Sequence, residues 1–300
     1  MSNETPVPEP RRRRPFLRGC AIVALVFAAF FVLIGLVSRL DDFSLKTGNK
    51  VAVLPVTGLI TDSESTIEQL KKFARDDSVK AIILRINSPG GGVGPSQEIY
   101  EEVRKLKGKK IVVTSMGALA ASGGYYIACA SQKIFANPGT ITGSIGVIMQ
   151  FVNARELIEK IGLKGMVVKS GAFKDIGSPI REMKPEEREL LQGVIDNVHS
   201  QFIAAVAEGR KMDRGKVAGI ADGRIFSGEQ AKALGLVDAL GNLEDAVAEA
   251  GKMAGIEGEP RVVTPPRKKI SILDLLKEEA KSIISDKLAE NRFHLDYLAQ

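Results

Sequence analysis

The sequence predicts an α/β domain with a largely parallel sheet, preceded by one membrane-spanning helix. Three observations carry this reading. Between residues 50 and 255, short apolar β-branched runs alternate with amphipathic stretches, and repeated strand–helix units close into parallel sheets covered by helices. The apolar runs, such as VKAIILRINS at 79–88, are continuous, as expected of strands buried on both faces. Residues 19–37, GCAIVALVFAAFFVLIGLV, carry no charge, and at 1.5 Å per residue they measure roughly 28 Å, about the hydrocarbon thickness of a bilayer.

Each element follows in chain order. Residues 1–18 form a basic tail, with Arg11, Arg12, Arg13, Arg14 and Arg18 against Glu4 and Glu9. Lying before the apolar run 19–37, this tail places the N-terminus in the cytoplasm and the body outside. Cys20 stands at the start of the apolar run and not after it, and VSRLDDF beyond the run offers no small-x-small cleavage site, so the run reads as a retained anchor and not a removable signal. A polar linker, 38–49, leads to the strand run KVAVLPVTGLI. STIEQLKKFARDD has helical spacing behind a Ser cap. PSQEIYEEVRKLKG, opened by Pro and closed by Gly, reads as a helix. KKIVVTSM is a second buried strand, KIFANPGTITGSIGVIMQ gives short strands around turns, and ARELIEKIGL is a helix. KGMVVKSG, 164–171, is expected to be a strand, and 185–210 a long amphipathic helix. Shorter helices follow to about Gly255. In the extension 256–300, Ile272, Leu276, Ile283 and Leu288 fall near one helical face.

Composition excludes several functions. The net charge is +6 over 300 residues, with no dense basic stripe interleaved with aromatics, so nucleic acid is not the expected partner. The two histidines, His199 and His294, and the scattered carboxylates show no metal-ligand spacing, and no cofactor is required. Cys129 lies inside the apolar YYIACA and reads as a packed residue.

Ligand sites of open α/β sheets lie at the carboxyl ends of strands, and three stretches fall there. NSPGGGVG, 87–94, follows the strand ending near Ile86. Its glycines allow close backbone approach, which suits either a tight turn or an oxyanion hole built from the Gly90 or Gly91 N–H. It lacks the Lys-Ser/Thr ending of a phosphate loop. Ser122, in ALAASGGYYIACA, stands at an expected helix start among small residues, either as packing or as a nucleophile with room for substrate. Lys174, in SGAFKDIGSP, lies beside Phe173 and Ile176. An ordinary lysine amine keeps its proton until about pH 10, so it serves as a base only where apolar surroundings disfavour the ammonium.

Taken together, NSPGG at 87–91, ASGGYYIA at 121–128, TGSIGV at 142–147 and FKDIGSP at 173–179 resemble, in the same order, the signal peptide peptidase A family of membrane-anchored serine proteases. The resemblance covers residues 50–255 and implies a ClpP/crotonase-like fold. It implies a Ser/Lys dyad of Ser122 and Lys174, an oxyanion hole at Gly90 and Gly91, and Ser144 orienting the lysine. One copy of each motif corresponds to the single-length form. The resemblance further implies a homo-oligomeric ring, an octamer, whose sites join Ser122 of one subunit to Lys174 of the next. The implied setting is the bacterial cytoplasmic membrane with an external catalytic domain, and the implied substrates are released signal peptides and other short hydrophobic peptides. Three alternatives stand beside it: a membrane-tethered ClpP-class protease acting on other proteins; a crotonase-type acyl-CoA enzyme, against which an anchor and an external body argue; and a non-catalytic membrane scaffold, against which the presence of both Ser122 and Lys174 argues.

Overall fold

The computed structural model describes residues 25–32, 49–266 and 296–298. They fall into two units, divided after Thr47. In the first, residues 25–32 form a helix, α1, with Leu25, Phe27 and Phe31 exposed. Among the described residues no helix is long and apolar enough to cross a membrane. The remainder of the 19–37 run, the linker up to residue 48 and the apolar positions Ile272, Leu276, Ile283 and Leu288 lie outside the described residues.

The second unit is built on an eight-stranded sheet. Its centre is β1 (Lys50–Thr57), β2 (Val79–Ser88) and β4 (Ile111–Ala121), paired in parallel with Val53 opposite Ile83 and Ile83 opposite Val113. Past β2, β4 changes neighbour along its length. Its first half pairs with β5 (Lys133–Ala136), which pairs with β8 (Ala239–Leu240). Its last three residues pair with β6 (Ile141–Gly143), which meets the antiparallel β7 (Ile225–Ser227). On the far edge β1 pairs with β9 (Arg261–Val263), so the sheet takes in residues beyond 255. The expected α/β class with a largely parallel sheet is present.

Alternate residues of a strand face opposite sides, and here both sides are apolar. Val51, Val53, Ala81, Ile83 and Val113 are buried against Val247 and Ala250 of the helix Leu243–Met253. Ala52, Leu54, Ile82, Leu84 and Met116 face the larger core. That core takes Leu70 and Phe73 from α2 (Glu64–Arg75), Ile99 and Val103 from α3 (Val93–Arg104), Tyr125 to Ala128 from α4 (Gly123–Ala128), and Phe202 and Val206 from α6 (Pro185–Arg210). Burial on both faces explains the continuous apolar runs.

Residues 151–183 leave the sheet between β6 and α6. Ala154 N–H closes the base on the Pro179 carbonyl at 2.7 Å. Within lies α5 (Arg155–Lys160), as the sequence indicates. The expected strand at 164–171 is not formed: residues 163–169 are an unpaired coil with Met166 and Val168 almost fully exposed. Val167 and Val168 favour a strand, but a strand needs a partner edge, and none lies beside them among the described residues.

Candidate active site

Two strands of the central sheet deliver the candidate residues. β2 ends at Ser88, and the chain turns at once into β3 (Gly90–Gly92), a glycine strand. β4 ends at Ala121, and Ser122 is the N-cap of α4. Ser122 has φ 53° and ψ −119°, a region that L residues rarely adopt. Such strain costs about 1–3 kcal/mol and collects at functional sites. Its N–H donates to the Gly143 carbonyl at 2.8 Å, and its carbonyl accepts from the Tyr126 N–H at 2.8 Å, so the backbone is held on both sides. The Oγ is enclosed and has no hydrogen-bond partner among the described residues.

β3 lies against this serine. A Cβ on Gly123 would sit 3.3 Å from both the Gly90 Cα and the Gly91 N, and 2.5 Å from the Ser96 Oγ, so only glycine fits beside Ser122. On Gly91, with φ 154°, a Cβ would fall 2.3 Å from the Ile60 carbonyl. Ile60 N–H donates to the Gly90 carbonyl at 2.9 Å, and Gly92 N–H to the Ile60 carbonyl at 2.8 Å. Strand alternation then turns the Gly91 N–H and C=O to the opposite edge. That edge carries β10 (Asp296–Leu298), antiparallel, with Tyr297 opposite Gly91 and Leu298 opposite Gly90. β10 also lies against α4.

The candidate oxyanion donors differ in their present bonds. Gly90 N–H donates to the Ser88 Oγ at 3.1 Å, and that hydroxyl donates to the Gly58 carbonyl at 2.6 Å. Gly123 opens α4, where the first N–H groups have no partner within the helix. The sequence did not single out Gly123, Ser88 or Ser96; only the position of Gly123 directly after Ser122 offered a signal.

Ser144 comes close to Ser122 through β6. It follows Gly143, is buried, has φ 49°, and donates its N–H to the Arg224 carbonyl at 2.8 Å. Lys174 does not join them. It is exposed in the turn 172–177, closed by its N–H on the Gly171 carbonyl at 3.2 Å, and its Nζ has no partner among the described residues. The next residue, Asp175, is held well below the usual carboxylate range, first by hydrogen bonds from Arg181 and then from Lys169. Nothing in the spacing of the sequence announced Arg181 or its second partner, Glu187.

Cys129 is buried, and desolvation pushes its thiol up to about 12, which removes it as a nucleophile. Among the described residues no group of His, Cys, Asp and Glu could hold a metal ion.

Comparison with known proteins gives the family. The profile of Peptidase family S49 matches residues 104–257, and that of Clp protease matches residues 51–141. A provisionally named protease, slr0021, of Synechocystis sp. is 46% identical over 216 residues, covering 72% of this chain and 78% of that one. A provisionally named signal peptide peptidase SppA of Enterococcus faecium is 41% identical over 215 residues, covering 67% of this chain and 62% of that one. Protease 4 of Salmonella typhi is 38% identical over 230 residues, covering 72% of this chain and 37% of that protein. With the profile spanning half the chain and such identity over most of the domain, the chain belongs to peptidase family S49 and is a serine peptidase of the signal peptide peptidase type.

Proposed function

We propose that this peptidase cleaves short hydrophobic peptides, released signal peptides foremost, with Ser122 as nucleophile and Lys174 of a neighbouring copy as base. One observation carries the reading: a strained, enclosed serine at a helix start lies beside a glycine strand whose open edge pairs with an extended chain. A peptide substrate adds to that edge as β10 does, through main-chain bonds that tolerate many side chains.

The neutral Lys174 amine takes the Ser122 hydroxyl proton as Oγ bonds to the scissile carbonyl carbon. The oxyanion rests on backbone N–H groups, Gly123 together with Gly90 or Gly91; Gly90 joins by exchanging its bond to Ser88. When the C–N bond breaks, the lysine returns the proton to the leaving amine. Water then attacks the acyl-serine with the same amine as base. Ser144, one residue from the carbonyl that holds Ser122, orients the arriving lysine.

Sharing between copies has geometric support. The turn bearing Lys174 is tied through Arg181 to Glu187 near the start of α6, whereas Phe202, further along α6, packs on Tyr126 of α4 at 4.9 Å between rings. Those two points on α6 are 15 residues, about 22 Å, apart along the axis. The exposed Met166, Val168 and Phe173 supply apolar surface for a neighbour, which would also give Lys174 the desolvation a lysine base needs. Ring assembly, an octamer, follows from the same reading, as does anchoring by residues 19–37 with the domain outside the cytoplasmic membrane.

The deciding experiment mixes two dead variants. Ser122→Ala and Lys174→Ala, each inactive on a hydrophobic peptide, should recover part of the activity when co-assembled. Activity in Ser122→Ala alone would refute the proposal. Failure to recover in verified mixed assemblies would refute sharing.

A further inference from the structure

Lys174 as the base raises a chemical problem of its own. The adjacent Asp175 carries a carboxylate, and a free carboxylate next to an amine favours the ammonium. In this structure that carboxylate is occupied. Arg181 Nε donates to it at 2.8 Å, Lys169 Nζ donates to it as well, and Arg181 Nη2 donates to the Asp175 carbonyl at 3.0 Å. Arg181 is itself held by two bonds to the Glu187 carboxylate, at 2.6 and 2.8 Å, and by one to the Glu182 carbonyl at 2.9 Å. Glu187 is 1% exposed and accepts from the Lys184 N–H at 2.9 Å, which fixes it to the first turn of α6. A planar guanidinium bonded on both sides has one orientation. A rigid path thus runs from α6 through Glu187 and Arg181 to Asp175, and ends one residue from the proposed base.

We propose that Arg181 is a positioning residue for the reaction: it withholds the Asp175 carboxylate from Lys174 and fixes the turn that presents the amine. This inference rests on the reading of Lys174 as base. Other charged groups lie on the same segment and on the elements beside it. Lys169 shares Asp175, and Arg155 of α5 pairs with Glu159 at 2.9 Å and with Glu182 at 3.6 Å. At the start of α6, Lys184 and Arg188 are cations, whereas Glu186 and Glu189 are exposed carboxylates further along the chain from Lys174. Asp175 is the carboxylate nearest to Lys174 along the chain.

The test compares Arg181→Gln, Arg181→Lys, Asp175→Asn and the double variant Asp175→Asn/Arg181→Gln in the full-length assembled enzyme, with Lys174→Ala as control. Arg181→Gln should lower kcat roughly 10- to 100-fold, the scale of a misplaced catalytic group, with KM within about twofold. The carboxylate, left with Lys169 alone, is no longer held by the guanidinium and can favour the Lys174 ammonium, so the rising limb of kcat against pH should move to higher pH. Arg181→Lys should recover part of kcat. Removing the carboxylate as well, in the double variant, should return the limb to its wild-type position, which a merely structural arginine would not allow. Should Arg181→Gln fail to assemble, the double variant decides against Asp175→Asn alone, and equal pH limbs in the two support the proposal. Wild-type kcat and pH limb in Arg181→Gln, with Lys174→Ala dead, would overturn the role of Arg181 and leave the dyad intact. A displaced limb that persists in the double variant would overturn it too. Activity in Lys174→Ala would instead remove the dyad, and this inference with it.

Discussion

Ser122 and Gly143 are joined backbone to backbone, the Ser122 N–H donating to the Gly143 carbonyl at 2.8 Å. That bond ties the strained end of β4 to β6, which is paired with β4 over the three preceding residues. The strain at Ser122 is therefore held by the sheet, and removing the hydroxyl does not relieve it.

It follows that Ser122→Ala and Ser122→Gly will both be inactive but will differ in stability. Alanine keeps the Cβ at φ 53°, whereas glycine adopts that region freely. Ser122→Gly should be the more stable of the two by about 1 kcal/mol, about 2–4 °C in Tm for a domain of this size. Thermal unfolding of both variants measures it, and equal Tm values would mean the backbone there is unstrained.

Gly123→Ala should lose at least about 100-fold in activity, because the new methyl meets the Ser96 Oγ at 2.5 Å and displaces the serine next to it. Adding Ser96→Gly removes that contact and leaves only the 3.3 Å approaches to Gly90 and Gly91. The double variant should regain much of the lost stability and part of the activity. Peptide turnover and unfolding of the single and double variants check the pair.

β10 occupies the edge of β3 that a peptide substrate would use. Removing residues 296–300 should therefore lower KM for a short peptide severalfold with little change in kcat. Steady-state kinetics of the truncated and intact chains decide it, and an unchanged KM would show that the edge is not the substrate track.

Glu187 is held down to about 2, first by hydrogen bonds from Arg181 and then by the Lys184 N–H, against an ordinary value of 4.5. A carboxylate depressed on folding contributes stability above its unfolded value and loses it as pH falls through the folded one. Glu187→Gln should thus be less stable than wild type at pH 7, and the gap should close between about pH 4.5 and 2. Denaturant unfolding across that range tests it, and a constant gap would locate the effect in packing instead of charge.

Much of this protein was legible without coordinates. Continuous apolar runs such as 79–88 imply strands buried on both faces, and the alternation of strand and helix implies a parallel sheet, because both are consequences of local pattern. Ser122 and the glycine strand were legible as residues because each sits where a strand ends in a distinctive short motif, whereas Lys174 was legible by its motif alone, the strand expected before it being absent. The expected strand at 164–171 failed because β-propensity says nothing about whether a neighbouring edge exists.

What the sequence by itself determined was the set of elements and the chemical identity of the candidate groups. Only the tertiary structure decided which groups meet. It brought Gly90 and Gly91 against Gly123, placed Ser144 behind Ser122 through β6, kept Lys174 on a separate turn, and wired that turn to α6 through Arg181 and Glu187. Those are contacts between segments whose separation in the chain leaves no periodic trace, and they exist only once the sheet and α6 fix the distances between them.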